Sequence, residues 1–594
     1  MNAGLLSVAT LAACAAIGSA TAAEPGPRKP PATSPLLEPC DVAGVQGKAR
    51  CGTYEVYENR DTRTGRKISL KIVVVPATDS ERLSDPYVFL NGGPGESSTE
   101  AAAALATEFA KLRERRDILL VDQRGTGGSH PLNCEMFVPA DNLQSYLGSF
   151  LPLAAVRQCR AELEKSTDLT LYTTSIAMDD LDDVRAALGY DRLNLLGGSY
   201  GTRAALVYLR QHPDRVRTVT LQGVVPTDDR MPLRFPQGAE RALTGVLAEC
   251  AAEAPCKAAF PNLVEEAKRV FGQLAREPVT VRVLHPQTGA PTDVALSQDL
   301  AAEAVRYMLY SSGAAREIPA VLHQAAGGDF TPLAESALYG RQRIVGSGSM
   351  GLYLSITCAE DVPWIEPGEG ERAARGTFLG EYRLKQQREA CEIWPRARVS
   401  RDFLSPVRSN VPVLLLSGMW DPATPPSNGE EVAKHLPNGL PVVVPHGGHN
   451  YEGLDGLDCV TNLQIEFVER GAAKGLDAAC VEKIRRPPFR TEPMEMRVVS
   501  LPDADLARLA GSYVAEGDSA EATLELKAGM LVLTFPGEDR LLLAPVAQTR
   551  FRVAGAPGLS VRFEVVDGQC RSATIIESGS PVMKLLPKPS RPKD

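Results

Sequence analysis

The sequence predicts an α/β fold with a mostly parallel sheet, a long helical insertion and a small antiparallel β-domain at the C-terminal end. Three observations predict it. Short apolar runs bounded by Gly, Pro or charged residues recur at 70–75, 86–90, 117–121, 193–196, 218–222, 411–417 and 441–444. Continuous runs of that length fit strands covered on both faces. Helical patterns sit between several of them, for example at 177–188 and 202–211, which is the alternation of a parallel sheet wrapped by helices. Finally, 222–411 reads mainly as helices (241–252, 263–275, 298–309), whereas short strand-like runs take over at 523–527, 531–535, 541–544 and 561–565. Ala528-Gly529, Pro536-Gly537 and Asp567-Gly568 supply turns between those last runs.

These patterns divide the chain. Residues 5–17 are apolar and small and run into Ser19-Ala20-Thr21-Ala22-Ala23 before Glu24, the shape of a signal peptide spanning 1–23. Leu11-Ala12-Ala13-Cys14 also has the form of a bacterial lipoprotein box, but the residues after Cys14 stay apolar instead of forming a hydrophilic tether. Simple secretion, or release into a periplasm, is therefore preferred to a lipid anchor. Residues 24–224 form the first part of the sheet core, 225–405 a helical cap and 406–487 the second part of the core. A linker at Arg485-Arg486-Pro487-Pro488 leads to the β-domain at 496–594.

Composition narrows the function. With 594 residues, 44% hydrophobic and 23% charged, the chain can bury large cores. Its net charge of -9 and lack of a long Lys/Arg run offer no field for nucleic acid or an anionic membrane. No segment after the leader has about 20 uninterrupted apolar residues, so no membrane span is expected. Oligomeric state is left open. The twelve cysteines suit an oxidising compartment, and neighbours along the chain pair as Cys40 with Cys51, Cys134 with Cys159, Cys250 with Cys256, Cys358 with Cys391 and Cys459 with Cys480. Cys570 is left over. No CxxC or HExxH spacing occurs, so neither a metal nor another cofactor is expected.

The chemistry concentrates at strand ends. Gly197-Gly198-Ser199-Tyr200-Gly201 follows one apolar run and precedes a helical one. Small residues are needed there because a serine on a tight strand-to-helix turn exposes its hydroxyl only if nothing bulky flanks it. That hydroxyl is a poor nucleophile until a base takes its proton, and the base needs a third group to orient it. Asp421 follows the run at 411–417, and His449 follows the run at 441–444 in Pro445-His446-Gly447-Gly448-His449. The order Ser, Asp, His fits. His446 competes with His449, which is preferred because Gly447 and Gly448 let the loop return toward Ser199. Asn91-Gly92-Gly93-Pro94-Gly95 follows the run at 86–90, placing backbone N–H groups where a tetrahedral oxyanion would form. Gly93 is the first expected donor and Tyr200 N–H the second.

With these residues in view, the chain resembles the prolyl iminopeptidase and tripeptidyl aminopeptidase branch of the α/β-hydrolases. The likeness rests on Gly92-Gly93-Pro94-Gly95, Asp122-Gln123-Arg124-Gly125-Thr126-Gly127, Gly198-Ser199-Tyr200-Gly201-Thr202 and the Asp421 and His449 loops, and covers about 38–485. It implies a secreted serine exopeptidase acting on peptide substrates near a free N-terminus, with the cap closing one end of the site. Prolyl iminopeptidases usually carry His where Asn91 stands, which leans the resemblance toward the tripeptidyl type. The motif at 122–127 is expected to brace loops. Gly511-Ser512-Tyr513 and Thr549-Arg550-Phe551 resemble a small β-domain appended to some secreted serine hydrolases and β-lactamase-like proteins.

An exopeptidase of this kind needs a carboxylate to read the substrate ammonium. Glu360 is the expected reader, with Asp361 close behind, in Thr357-Cys358-Ala359-Glu360-Asp361. The rival readings are an esterase or lipase using the same triad and, more remotely, a binding protein that keeps the scaffold.

Overall fold

The computed structural model describes residues 36–137, 142–346, 348–517, 520–527, 529–536 and 540–588. The expected signal peptide and Cys14 lie outside these residues.

A nine-stranded sheet organises the chain. Its strands are β1 (Leu37–Cys40), β2 (Ala49–Tyr57), β3 (Lys67–Val75), β4 (Tyr87–Leu90), β5 (Ile118–Val121), β6 (Leu193–Gly198) and β7 (Val216–Gln222). The insertion then carries a hairpin of β8 (Val279–Leu284) and β9 (Pro291–Leu296), and the sheet resumes with β10 (Val413–Gly418) and β11 (Gly439–Val444). The order is β1-β2-β3-β5-β4-β6-β7-β10-β11. From β5 to β11 all neighbours run parallel, and β1, β2 and β3 add an antiparallel edge.

All seven apolar runs lie in this sheet, since each central strand is covered on both faces. On one side pack the helices Thr174–Ala187 and Tyr200–Gln211, through Leu181, Val184 and Leu206. On the other packs the helix Asp458–Arg470, through Leu463 and Phe467. β1 and β2 were not anticipated. They form an edge, half open to solvent, where Arg50, Thr53 and Glu55 interrupt any apolar run.

The cap between β7 and β10 is mostly helical. Its helices Phe235–Ala252, Leu263–Leu274, Gln298–Met308, Ile318–Ala326 and Thr331–Gly346 share a core that includes Val246, Val270, Val305, Leu322 and Leu338. The β8–β9 hairpin is the part of the cap that the mainly helical reading did not include. Val281, Val283, Val294 and Leu296 point into the same core with period two, too short a pattern to stand out among helices. A further cluster joins Leu132, Phe150 and Val156, from the first part of the chain, to Leu354 and Ile356 of the helix Met350–Glu360. The roof over the sheet therefore has two sources in the sequence.

All five expected disulfides are present, and Cys570 is free. The β-domain closes into an eight-stranded antiparallel barrel between Gly511 and Pro587, filled by Leu531, Phe551, Phe563 and Leu585. It docks on the cap, where Arg552 Nη1 donates to Glu335 Oε2 at 2.7 Å with both side chains buried. Among the described residues no helix is long and apolar enough to cross a membrane, and no cluster of His, Cys, Asp and Glu could hold a metal ion.

Candidate active site

Four loops leave the carboxyl ends of β4, β6, β10 and β11 and converge beneath the cap, the edge where parallel sheets bind ligands. Ser199 sits between β6 and the helix Tyr200–Gln211 at φ 52° and ψ -121°, a strained conformation for a residue with a side chain. Its surroundings explain the glycines. A Cβ on Gly197 would stand 2.5 Å from Gly201 O, and one on Gly201 would stand 1.9 Å from Leu90 O.

Ser199 Oγ lies 3.0 Å from His449 Nε2, and His449 Nδ1 lies 2.9 Å from Asp421 Oδ2. Asp421 is wholly buried and well satisfied. Its Oδ1 accepts from the N–H groups of Ala423 and Thr424, both at 2.8 Å, and Thr424 Oγ1 donates to Oδ2 at 2.6 Å. Burial alone would raise the carboxyl, but the imidazole and these donors hold it below its ordinary value. For His449 burial pulls down, and the Asp421 carboxylate outweighs it and raises the ring above its ordinary value. With its Nδ1–H on Asp421, the neutral ring turns the Nε2 lone pair toward Ser199. Such a relay can deprotonate a serine for attack on an acyl carbon.

His446 is engaged elsewhere. Its Nδ1 lies 2.7 Å from Glu249 Oε1, which also accepts from Trp420 Nε1, while Arg486 Nε donates to Glu249 Oε2. The structure thus brings His449, and not His446, to Ser199.

The glycine loop passes beside the serine. Gly92 and Gly93 line the cavity next to Ser199, and position 93 requires glycine because its φ is 105° and a Cβ there would stand 2.7 Å from Gly95 N. Asn91 ties the loop, its Oδ1 accepting from Gly92 N–H and its Nδ2 donating to Ser97 O. From below, Asp122 accepts from Ser97 Oγ, Thr99 N–H and Gly128 N–H, and Arg124 forms a two-point pair with Asp180. Tyr200 N–H heads the helix after Ser199, where amides have no partner within the helix. Its side chain turns away, with the hydroxyl 2.8 Å from Thr174 Oγ1.

The expectation for Glu360 and Asp361 is corrected. Both are completely buried and neither lines the cavity. Glu360 accepts from Thr174 N–H and Thr174 Oγ1, both at 2.7 Å, and Asp361 Oδ1 pairs with Arg203 Nη1 at 2.8 Å. Burial raises both carboxyls, Asp361 to about 7 against the pull of Arg203. The helix Met350–Glu360, tied through Cys358 to Cys391, turns these groups into the core. No sequence pattern reveals that direction.

A cavity of about 350 Å³ opens above Ser199 and His449, within the range of small-molecule sites. Sequence reasoning missed the charged groups on its wall: Glu96, Arg306 and Arg383. Glu96 follows the glycine motif directly and could have drawn notice. Arg306 and Arg383 stand in helices where nothing distinguishes them from solvated charges.

Comparison with known proteins agrees with this architecture. Residues 85–245 match the family model described as alpha/beta hydrolase fold, and residues 376–480 match that of TAP-like proteins. The chain is a serine hydrolase of the α/β-hydrolase fold. The hydrolase is 29% identical over 496 residues to the serine protease Hip1 of Mycobacterium tuberculosis (strain ATCC 25618 / H37Rv), covering 78% of this chain and 93% of that one. The tripeptidyl aminopeptidase of Streptomyces coelicolor is 32% identical over 197 residues, covering 31% of the hydrolase and 36% of the relative. Carboxylesterase B of M. tuberculosis (strain CDC 1551 / Oshkosh) is 26% identical over 467 residues, covering 73% and 86%.

Proposed function

We propose that the hydrolase is an exported serine peptidase that cleaves peptides close to a free N-terminus. The observation that carries the reading is the unbroken relay from Asp421 through His449 to Ser199, at 2.9 and 3.0 Å, at the floor of a capped cavity. Relatives named as a serine protease and a tripeptidyl aminopeptidase support the peptide substrate, and five disulfides fit export.

In this reading Ser199 Oγ attacks the scissile carbonyl as His449 Nε2 takes its proton. The oxyanion is held by the N–H groups of Gly93 and Tyr200. The protonated ring then gives its proton to the departing amine, and water hydrolyses the acyl-enzyme by the same route in reverse roles. Asp421 keeps the ring in one tautomer and stabilises the imidazolium. The substrate ammonium is assigned to Glu96, beside Ser199: a Cβ placed on Gly92 would be 3.2 Å from both Glu96 Oε2 and Ser199 Cβ.

An ester hydrolase is the second reading, favoured by the carboxylesterase relative and by the shared acyl-transfer chemistry. The deciding experiment compares peptide anilides with free and acetylated N-termini against short acyl esters, in wild type and Ser199→Ala. The peptidase reading expects Ser199-dependent turnover of anilides with a preference for the free terminus. Turnover of esters alone would replace it with the second reading.

A further inference from the structure

Three guanidinium groups, those of Arg306, Arg341 and Arg383, are buried in the cap, at 2%, 1% and 5% exposure. Glu303 is the carboxylate that acts on all three. It accepts from Arg306 Nε at 3.2 Å and from Arg383 Nη1 at 3.2 Å. Burial would push its carboxyl up, but the two cations hold it at about 2, so it is a full anion. Glu303 thus pairs with two of these cations and acts on the third only at longer range.

Aromatic faces cover these cations as well. Arg306 lies over the rings of Phe235, Tyr307 and Tyr310 at 4.6 to 5.2 Å, and Arg383 lies 3.5 Å from the centroid of Phe150. A ring face attracts a cation but neither neutralises it nor accepts its full set of N–H bonds. Arg341, 5.2 Å from the centroid of the same Phe150 ring, has its Nη1 buried without a hydrogen-bond partner. Arg306 Nη1 also donates to Tyr310 Oη at 2.9 Å, and Glu303 holds both Arg306 and Arg383 as firm cations. Here two of the three cations line the wall of the substrate cavity, where an anion could reach them. Glu96 lines the same cavity, and both it and Arg306 act electrostatically on His449, so charges of both signs face the bound substrate.

We propose that Arg306 and Arg383 form a carboxylate-binding subsite, and that the preferred substrate carries a carboxylate within a residue or two of the bond cleaved. This rests on the reading of Ser199 as the nucleophile of this cavity. An acidic side chain and the free C-terminus of a short peptide offer the same group. Arg383 presents its guanidinium edge to the anion, Arg306 adds the second charge, and Glu303 keeps the two forks oriented.

The test measures kcat/KM for peptide anilides and free peptides bearing Glu or Gln at each of the two positions on either side of the scissile bond. Each free peptide is used with a free or an amidated C-terminus. A parallel pair of nitrophenyl esters ends in a carboxylate or a carboxamide, so that the subsite is read even if peptides are not turned over. Wild type should favour the carboxylate member of at least one pair by roughly tenfold to a hundredfold, as for a charged hydrogen bond. The position of the effect separates a side chain from a terminus. In Arg383→Met that ratio should collapse toward one, and Arg383→Lys should restore part of it. Equal turnover of all pairs by wild type, or an unchanged ratio in Arg383→Met, overturns the subsite. Absence of Ser199-dependent turnover on every substrate would instead overturn the hydrolase reading of the cavity.

Discussion

Asp421, with no exposed surface, faces His449 Nδ1 at 2.9 Å and is the group that lifts the histidine above its ordinary value of 6.5. A base must be neutral to accept a proton, so the raised ring sets the acid limb of activity. The kcat/KM profile should fall as pH drops through a value above 6.5. Asp421→Asn removes the charge that raises the ring while burial still lowers it, so the limb should move to lower pH. Rate should drop by roughly 10⁴-fold because the tautomer is lost. A limb that stays in place in this variant would separate Asp421 from the base.

The two histidines of the β11 loop should respond differently. His449→Ala deletes the group 3.0 Å from Ser199 Oγ and should cut kcat by roughly 10³-fold or more. His446→Ala removes a partner of Glu249 and should cost about 1–2 kcal/mol of stability. Denaturant melts and steady-state kinetics on both variants check this, and loss of turnover in folded His446→Ala would reverse the assignment.

Glu96 and Glu360 divide specificity from structure. Glu360→Gln places an amide where Thr174 N–H and hydroxyl donate and should lower stability by about 1–3 kcal/mol, with the preference for a free over an acetylated N-terminus intact. Glu96→Gln should shrink that preference by roughly tenfold or more. Measuring both substrates with both variants shows which carboxylate reads the ammonium.

Arg203 is fully buried against Asp361 at 2.8 Å. Arg203→Met should cost about 3–5 kcal/mol by leaving a carboxylate unpaired. The folded Asp361 carboxyl titrates near 7, above its ordinary 3.8. Its stabilising contribution is therefore present in full below 3.8 and is lost as pH rises through 7. Without the guanidinium the carboxyl rises further, so the deficit of the variant should be smaller at pH 5 than at pH 8. Urea unfolding at the two pH values provides the check.

Much of this architecture was legible in the linear pattern, because strands covered on both faces must be short continuous apolar runs and a tight strand-to-helix turn must be flanked by glycine. Those constraints are local, so they marked seven of the sheet strands, the Ser199 turn, the loops of Asp421 and His449 and the disulfide partners before any fold was known. The edge strands and the β8–β9 hairpin escaped because a half-covered strand mixes polar with apolar residues. Closure of the barrel escaped too, since a strand pattern does not reveal whether the first and last strands meet. The tertiary structure alone decided which way each charged side chain faces. It turned His449 toward Ser199 and His446 toward Glu249, sank Glu360 and Asp361 into the core, and set Glu96, Arg306 and Arg383 on the cavity wall. The sequence writes each of these as the same kind of residue in the same kind of loop or helix. Their roles depend on burial and on partners up to 250 residues away, which only the packed chain brings within reach.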